Sequence, residues 1–425
     1  MDNIFELIFE RYRVGSLQAA QTAELLNSAI RLAFSKRLMF FYELLQNAAD
    51  SPLEGKTDDH IAVQIYFFSD WVLIQHNGMP FSAADVLAIS RFGNVEYEEQ
   101  FEHQAYTPKS HNINKIGYKG IGFKSVFTVT DCCYVISGNY QFRFDKNYTG
   151  WDCKPYPWQI TPIPTELDAI PESIKTYVTN SLKTSILLRA NMLTDINKIK
   201  DEILRDRILL FLCHIKSIKI SNGDTNTVIR ILERIQEQEM VSITTQTARN
   251  QPTTNHFIVE NFYLNIPQKV RDSVATLDNV DCPPKLKEAE TITISLAAEM
   301  ENDKKLKDLE GNARLLYTYL PTKATLPFPF TINAQFLLNK QRTALLDNQL
   351  WNAHIFSNLA EFLLKWMQKI ALSNAPFKFQ FLKLLRKAFE NERDIYGYRV
   401  PYNRALSSKL SEIRFIPPQN EERDD

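Results

Sequence analysis

The sequence predicts a mixed α/β protein in three parts: helices mixed with strands over residues 1–223, a smaller α/β region of antiparallel strands over 224–345, and a helical segment over 346–425. Three observations predict it. Two apolar runs, Ile61–Phe68 and Trp71–Phe81, are parted only by Ser69-Asp70, the pattern of a β-hairpin. Beyond the turn at Asn222-Gly223-Asp224, strand patterns recur at Val228–Leu232, Val241–Thr245 and Thr291–Leu296. Ile355, Leu359, Phe362, Leu363, Trp366 and Ile370 then fall on one face of a helix.

The first expected helix covers Phe40–Asp50, with Leu38, Phe41, Leu45 and Ala48 marking its apolar face. The hairpin follows and ends in a loop at Asn77-Gly78. Residues 93–114 are polar and read as a mobile lid before a glycine-rich turn and a helix-compatible run. Cys133–Ile136 reads as a strand, Trp151–Pro171 as an irregular, proline-rich excursion, and Thr184–Leu188 as a further strand. Asp201–Leu212 is expected to be a helix and Ser217–Ile220 a strand. In the second region Leu315–Pro321 and Phe328–Asn333 add strands. After the amphipathic helix, Phe379–Phe389 is expected to be helical and Arg414–Pro418 extended.

Two segments carry chemistry. Glu43 and Asn47 are four apart and stack on one side of the first helix, with Asp50 a turn later. A solvated polar face is the bland reading of such a trio. In the functional reading the carboxylate takes a proton from water, and the carboxamide oxygen holds a hard metal ion. Downstream, Gly117, Gly120 and Gly122 fall within six residues of a chain that has only twelve glycines. Such a turn opening a helix aims backbone N–H groups at an anion, and phosphate is the natural ligand. Ile121 and Phe123 belong to the same loop, and Lys119 and Lys124 are expected to add mobile positive charge. A tight turn without a ligand is the alternative. The spacing is neither a Walker A loop nor a dinucleotide fingerprint.

The order of these motifs resembles the GHKL ATPases, the superfamily of gyrase, the heat-shock-ninety chaperones, histidine kinases and MutL. It consists of a helix with Glu-x-x-x-Asn, a hairpin ending in x-Asn-Gly, and Gly-x-x-Gly-x-Gly-Phe-x-Ser. His76-Asn77-Gly78-Met79-Pro80-Phe81 together with Ile116–Phe127 looks most like the sacsin-type, heat-shock-ninety-like branch. The likeness runs from about Arg37 to Phe127 and, more loosely, to Ile220. It implies a Bergerat-type α/β sandwich that binds ATP and Mg2+, with a middle domain and a helical part behind it. By this resemblance Glu43 is the general base, Asn47 the magnesium ligand and Asp50 a polar residue beside the nucleotide. Gly117, Gly120 and Gly122 form the phosphate loop. His76 stands where the family has an Asp that accepts from the adenine amino group, and a neutral imidazole has one acceptor nitrogen. Asn77, or a water, is the alternative partner of the base. Thr184 resembles a Thr of the adenine-end network. Arg342, or Lys340 in its place, resembles the middle-domain cation that reaches the terminal phosphate. The activity implied is slow ATP hydrolysis that closes the lid and changes the shape of a chaperone-like or antiviral-defence machine, acting as a homodimer or on a protein partner.

Composition sets the outer limits. The chain has 425 residues and a formal net charge of −1, so no global field favours nucleic acid or anionic membrane. The basic runs Lys304–Lys307 and Lys383–Lys387 read as solvated helix faces. Five cysteines without a Cys-x-x-Cys pair argue against a disulfide framework or structural zinc. The absence of a leader pattern or a long apolar stretch predicts a cytoplasmic protein without a membrane span. Two rival classes remain: a nucleotide-binding scaffold that does not hydrolyse, and a DNA-associated clamp, which the neutral charge disfavours.

Overall fold

The computed structural model describes residues 2–12, 15–33, 39–51, 61–92, 122–179, 184–190, 207–277, 282, 284–308, 315–339, 344–385, 397–414 and 416. The chain is mixed α/β, and most of its strand pairings are antiparallel. It divides into two compact units: residues 1–234 with 244–253, and residues 235–243 with 254–425.

In the first unit, helices α1 (Asp2–Tyr12), α2 (Ser16–Ala33) and α3 (Met39–Ala49) precede the hairpin β1 (Ile61–Phe67) and β2 (Trp71–His76). Then come α4 (Ala83–Ile89), a 3-10 helix (Gly122–Thr128), β3 (Cys132–Ser137), β4 (Tyr140–Asp145) and the two-residue β5 (Ile163–Pro164). Helix α5 (Glu172–Thr179), β6 (Thr184–Arg189), β7 (Ile215–Asn222) and β8 (Thr227–Glu237) complete the series. The strands lie in the order β8-β7-β1-β2-β6-β3-β4-β5. Only β1 and β7 pair in parallel among them. Alternation sends successive side chains to opposite faces. Ile74, Val135, Ile186, Phe142 and Phe144 face one way, where Phe5 of α1 meets Phe142 at 5.5 Å and Phe123 of the 3-10 helix meets Phe144 at 5.9 Å. Tyr66, Leu73, Tyr134 and Leu187 face the other way, under Ile174 and Val178 of α5.

The second unit contains β11 (Thr291–Asn302), β12 (Lys305–Leu306), β13 (Leu315–Thr318), β14 (Leu320–Thr325) and β15 (Thr331–Asn333), while β8, β9 (Met240–Thr247) and β10 (Thr253–Asn265) cross the division. Its helices are α6 (Gln268–Ala275), α7 (Pro284–Lys287), α8 (Leu350–Leu372) and α9 (Arg399–Glu412), with a 3-10 helix at Lys378–Leu384. Helix α8 buries Ile355, Leu359, Phe362, Leu363, Trp366 and Ile370, the stripe its periodicity predicts. Of the strands expected in the second part, Val228–Leu232 lies in the first unit and Thr291–Leu296 in the second.

The helix-compatible run after Gly122 is a 3-10 helix whose Phe123–Phe127 are all buried. Three local expectations are corrected. Residues 207–212 form turns where a helix was expected. Leu315–Pro321 is not one strand: Tyr319, at φ 65°, breaks it into β13 and β14. Arg414 and Ile416 do not lie in a strand, and the expected lid over 93–114 lies outside the described residues.

Candidate functional site

Helix α3 carries Glu43 and Asn47, and Asp50 follows directly after its end. Phe40, Phe41, Leu44, Leu45 and Ala48 are buried and fix the helix, which leaves Glu43 at 8% exposure, Asp50 at 4% and Asn47 half-buried. This is not the solvated face of the bland reading. A carboxylate this enclosed is held to a narrow range of positions.

Gly122 lies against it. A Cβ built on Gly122 would collide with Glu43 Oε2 and lie 3.2 Å from its Cδ. The end of the glycine-rich loop and the helix carrying Glu43 are therefore in direct contact, although far apart in sequence. The 3-10 helix that follows is fixed in three ways. Ser125 Oγ donates to the Gly122 carbonyl at 2.6 Å. Phe123 packs edge-on against Phe127 at 6.0 Å and near Phe144. Lys124, 1% exposed, donates to the carbonyls of Ile89 and Gln159, the latter at 2.6 Å, and stands over the rings of Phe127 and Phe144. Burial pushes the Lys124 ammonium well below its ordinary pKa, and the neighbouring Cys133 works the other way. Lys124 is thus an internal tether and Phe123 a core residue. Neither is the mobile, phosphate-facing group that the motif suggests, because the 3-10 helix turns both inward.

The loop after β2 is built on a second close approach. A Cβ on Gly78 would lie 2.5 Å from the Ser51 carbonyl oxygen and 2.8 Å from the Ser51 Cβ, so only glycine fits. Met79 N–H donates to that carbonyl at 2.7 Å, and Ser51 Oγ donates to the Ala48 carbonyl at 2.7 Å. The His76 ring lies in this network. Its Nδ1 accepts from the Gly78 N–H at 3.2 Å and stands 3.3 Å from Ser51 Oγ. Nδ1 is thereby engaged within the loop. Asn77 also serves the fold, because its Oδ1 accepts from the Ala62 N–H at 2.8 Å and closes the start of β1.

Thr184 is placed beside His76. Strand β6 pairs with β2 so that Thr184 lies opposite His76, and with β3 so that Thr184 lies opposite Ser137. The Thr184 and Ser137 hydroxyls are 2.7 Å apart, and Ser137 Oγ accepts from the Phe81 N–H at 2.8 Å. Thus Glu43 and Gly122 are joined by contact, and Asp50, Ser51, His76, Gly78 and Thr184 by the loop and the register. Gly117, Lys119, Gly120, Ile121, Lys340 and Arg342 lie outside the described residues. Ser51, Ser137 and Gln159 escaped the sequence reading. Ser51 had a signal, a hydroxyl directly after Asp50 at the helix end. Ser137 and Gln159 had none, because their partners are set by strand register and by an irregular loop.

Asn47 offers one carboxamide oxygen, and among the described residues no group of three or more His, Cys, Asp or Glu is arranged for a metal. That donor set suits magnesium, which keeps water and phosphate oxygens as most of its ligands, and does not suit zinc. No helix of the described residues is long and apolar enough to cross a membrane. No protein-family model matches the chain, and no curated protein matches it in sequence.

Proposed function

We propose that the first unit binds ATP and hydrolyses it slowly, with Glu43 as the general base, in a Bergerat-type arrangement of the GHKL kind. The observation that supports this reading is the contact of Gly122 with the Glu43 carboxylate. It brings the end of the glycine-rich loop to a buried carboxylate whose helix also carries Asn47. A base must lie close to where the terminal phosphate is held, and the contact of the two motifs supports that role for Glu43. Asn47 would hold magnesium, which supplies charge neutralisation at the phosphates. Glu43 takes the proton of the attacking water, and Gly117, Gly120 and Gly122 offer backbone N–H groups to the phosphate oxygens. His76 is the proposed acceptor for the adenine amino group, with Asn77 or a water as the alternative. Arg342, with Lys340 as substitute, is the proposed cation for the terminal phosphate. The output is a conformational change in a chaperone-like or defence-associated machine.

The test pairs binding with turnover. ATP, GTP and ADP, with and without magnesium, are screened by thermal shift, since a ligand at a hundred times its Kd stabilises by about 2.7 kcal/mol. Glu43→Gln should keep the magnesium-ATP shift and lose about a hundredfold or more in phosphate release. A shift without phosphate release in the unaltered protein makes the chain a nucleotide-binding scaffold. No shift with any nucleotide refutes the proposal.

A further inference from the structure

Gly122 has an ordinary place in a glycine-rich loop, where a missing side chain lets phosphate approach the backbone. Its surroundings give it a different role. The nearest atoms to a Cβ at this position all belong to Glu43: Oε2 first, then Cδ at 3.2 Å and Cγ at 3.7 Å. Its backbone is not in the left-handed region, which in this chain is occupied among the described glycines by Gly138 and Gly397. Alanine therefore meets no conformational obstacle at position 122. What it meets is the carboxylate. The 3-10 helix is held in place, because Phe123, Lys124 and Ser125 are buried and Lys124 donates to the Gln159 carbonyl. The flexible partner is the Glu43 side chain, whose tip would have to turn away.

We infer that Gly122 is the positioning residue of the catalytic base: the space left by its missing Cβ is the seat of the Glu43 carboxylate. The inference rests on the reading of Glu43 as the base, and it changes what the third glycine of the loop is for. In the phosphate-loop reading a Cβ at Gly122 obstructs the nucleotide and raises KM. In the positioning reading it leaves the nucleotide bound and swings the base out of line, so kcat falls alone.

The experiment measures kcat, KM and the magnesium-ATP thermal shift for the full chain and for Gly122→Ala, Glu43→Asp and the double variant. For Gly122→Ala we expect kcat lower by about tenfold or more with KM within about twofold of the unaltered protein and the thermal shift retained. Glu43→Asp alone should also be slow, because its carboxylate is a methylene short of the seat. The shorter side chain leaves room for the alanine Cβ, so the double variant should lose less activity than the product of the two single losses. A Gly122→Ala enzyme with normal kcat overturns the inference while leaving the ATPase reading intact. So does a raised KM with lost thermal shift, which returns Gly122 to the phosphates, and so do fully multiplicative losses in the double variant. If the unaltered protein neither binds nor hydrolyses ATP, the ATPase reading fails and the inference falls with it.

Discussion

Lys124 meets two backbone carbonyls, those of Ile89 and Gln159. These two bonds hold a lysine that sits among Phe127, Phe144 and Cys133. An unpaired buried ammonium is far more costly than an amine whose donors are both used. The sign of the pH effect follows. Burial holds the folded-state pKa well below the ordinary 10.5 of the unfolded chain. Between those two values the unfolded state binds a proton that the folded state does not, so the site's contribution to stability rises with pH across that window. Below the folded value the penalty for charging Lys124 is fully present. Lys124→Met removes the titration and leaves two carbonyls without donors, each at about 1–3 kcal/mol. Melting of the two proteins should show the unaltered chain gaining on Lys124→Met as pH rises toward 10.5. A gap independent of pH contradicts the assignment.

At the scale of elements, helix α4 shows how local chemistry places a site. Ser82 and Asp85 form a reciprocal cap: Asp85 Oδ2 accepts from the Ser82 N–H at 2.9 Å, and Ser82 Oγ accepts from the Asp85 N–H. The cap fixes α4 directly after the loop of His76–Phe81, and Ile89 at its end receives Lys124. Ser82→Ala should cost about 1 kcal/mol, and Ser82→Ala with Asp85→Ala should cost less than the two singles added, since each breaks the same box. Additive losses in thermal unfolding would show two independent bonds. The elements that were legible from sequence are those whose apolar residues form a bounded run or a repeat. The β1–β2 hairpin, β3 and β6 are short apolar runs covered on both faces, α8 repeats along its buried stripe, and the placing of Glu43 with Asn47 on α3 follows from the helical period. Strand β10 was missed because Asn255, His256, Glu260 and Asn261 interrupt its apolar residues, and its pairing with β11 outweighs that low strand preference. Residues 207–212 looked helical because Ile208–Leu212 are all apolar; they are buried in turns, and a continuous apolar run does not reveal its period. In the site, residue types were legible and polarity was not. Nothing in the order of residues could say that His76 Nδ1 is claimed by Gly78, or that Lys124 points inward, since both depend on which backbone groups lie nearby.

For the whole molecule, the division into units bears on where a fragment carrying the first unit can end. The sequence places the first boundary near Gly223. Strand β8 lies beyond that cut, and it pairs with β7 from Ser217 opposite Glu233 to Asn222 opposite Thr227. A fragment ending at 223 loses this strand and uncovers the edge of β7, whose Ile215, Ile218 and Ile220 are fully buried in the intact chain. An exposed apolar strand edge is a template for aggregation. The first unit also includes residues 244–253, so a cut at 234 still removes part of it. A fragment of residues 1–253 retains every residue of that unit. It should melt cooperatively and shift with magnesium-ATP, whereas a fragment of residues 1–223 should aggregate or melt well below it. The longer fragment lacks Lys340 and Arg342, which fixes what its turnover means. If one of them supplies the cation at the terminal phosphate, the 1–253 fragment should bind ATP with near-normal affinity and hydrolyse it more slowly than the full chain, and Arg342→Ala in the full chain should reproduce that loss. If the fragment hydrolyses ATP as fast as the full chain, the residues beyond 253 contribute no catalytic group, and the groups of the first unit, with Glu43 at their centre, suffice for the reaction.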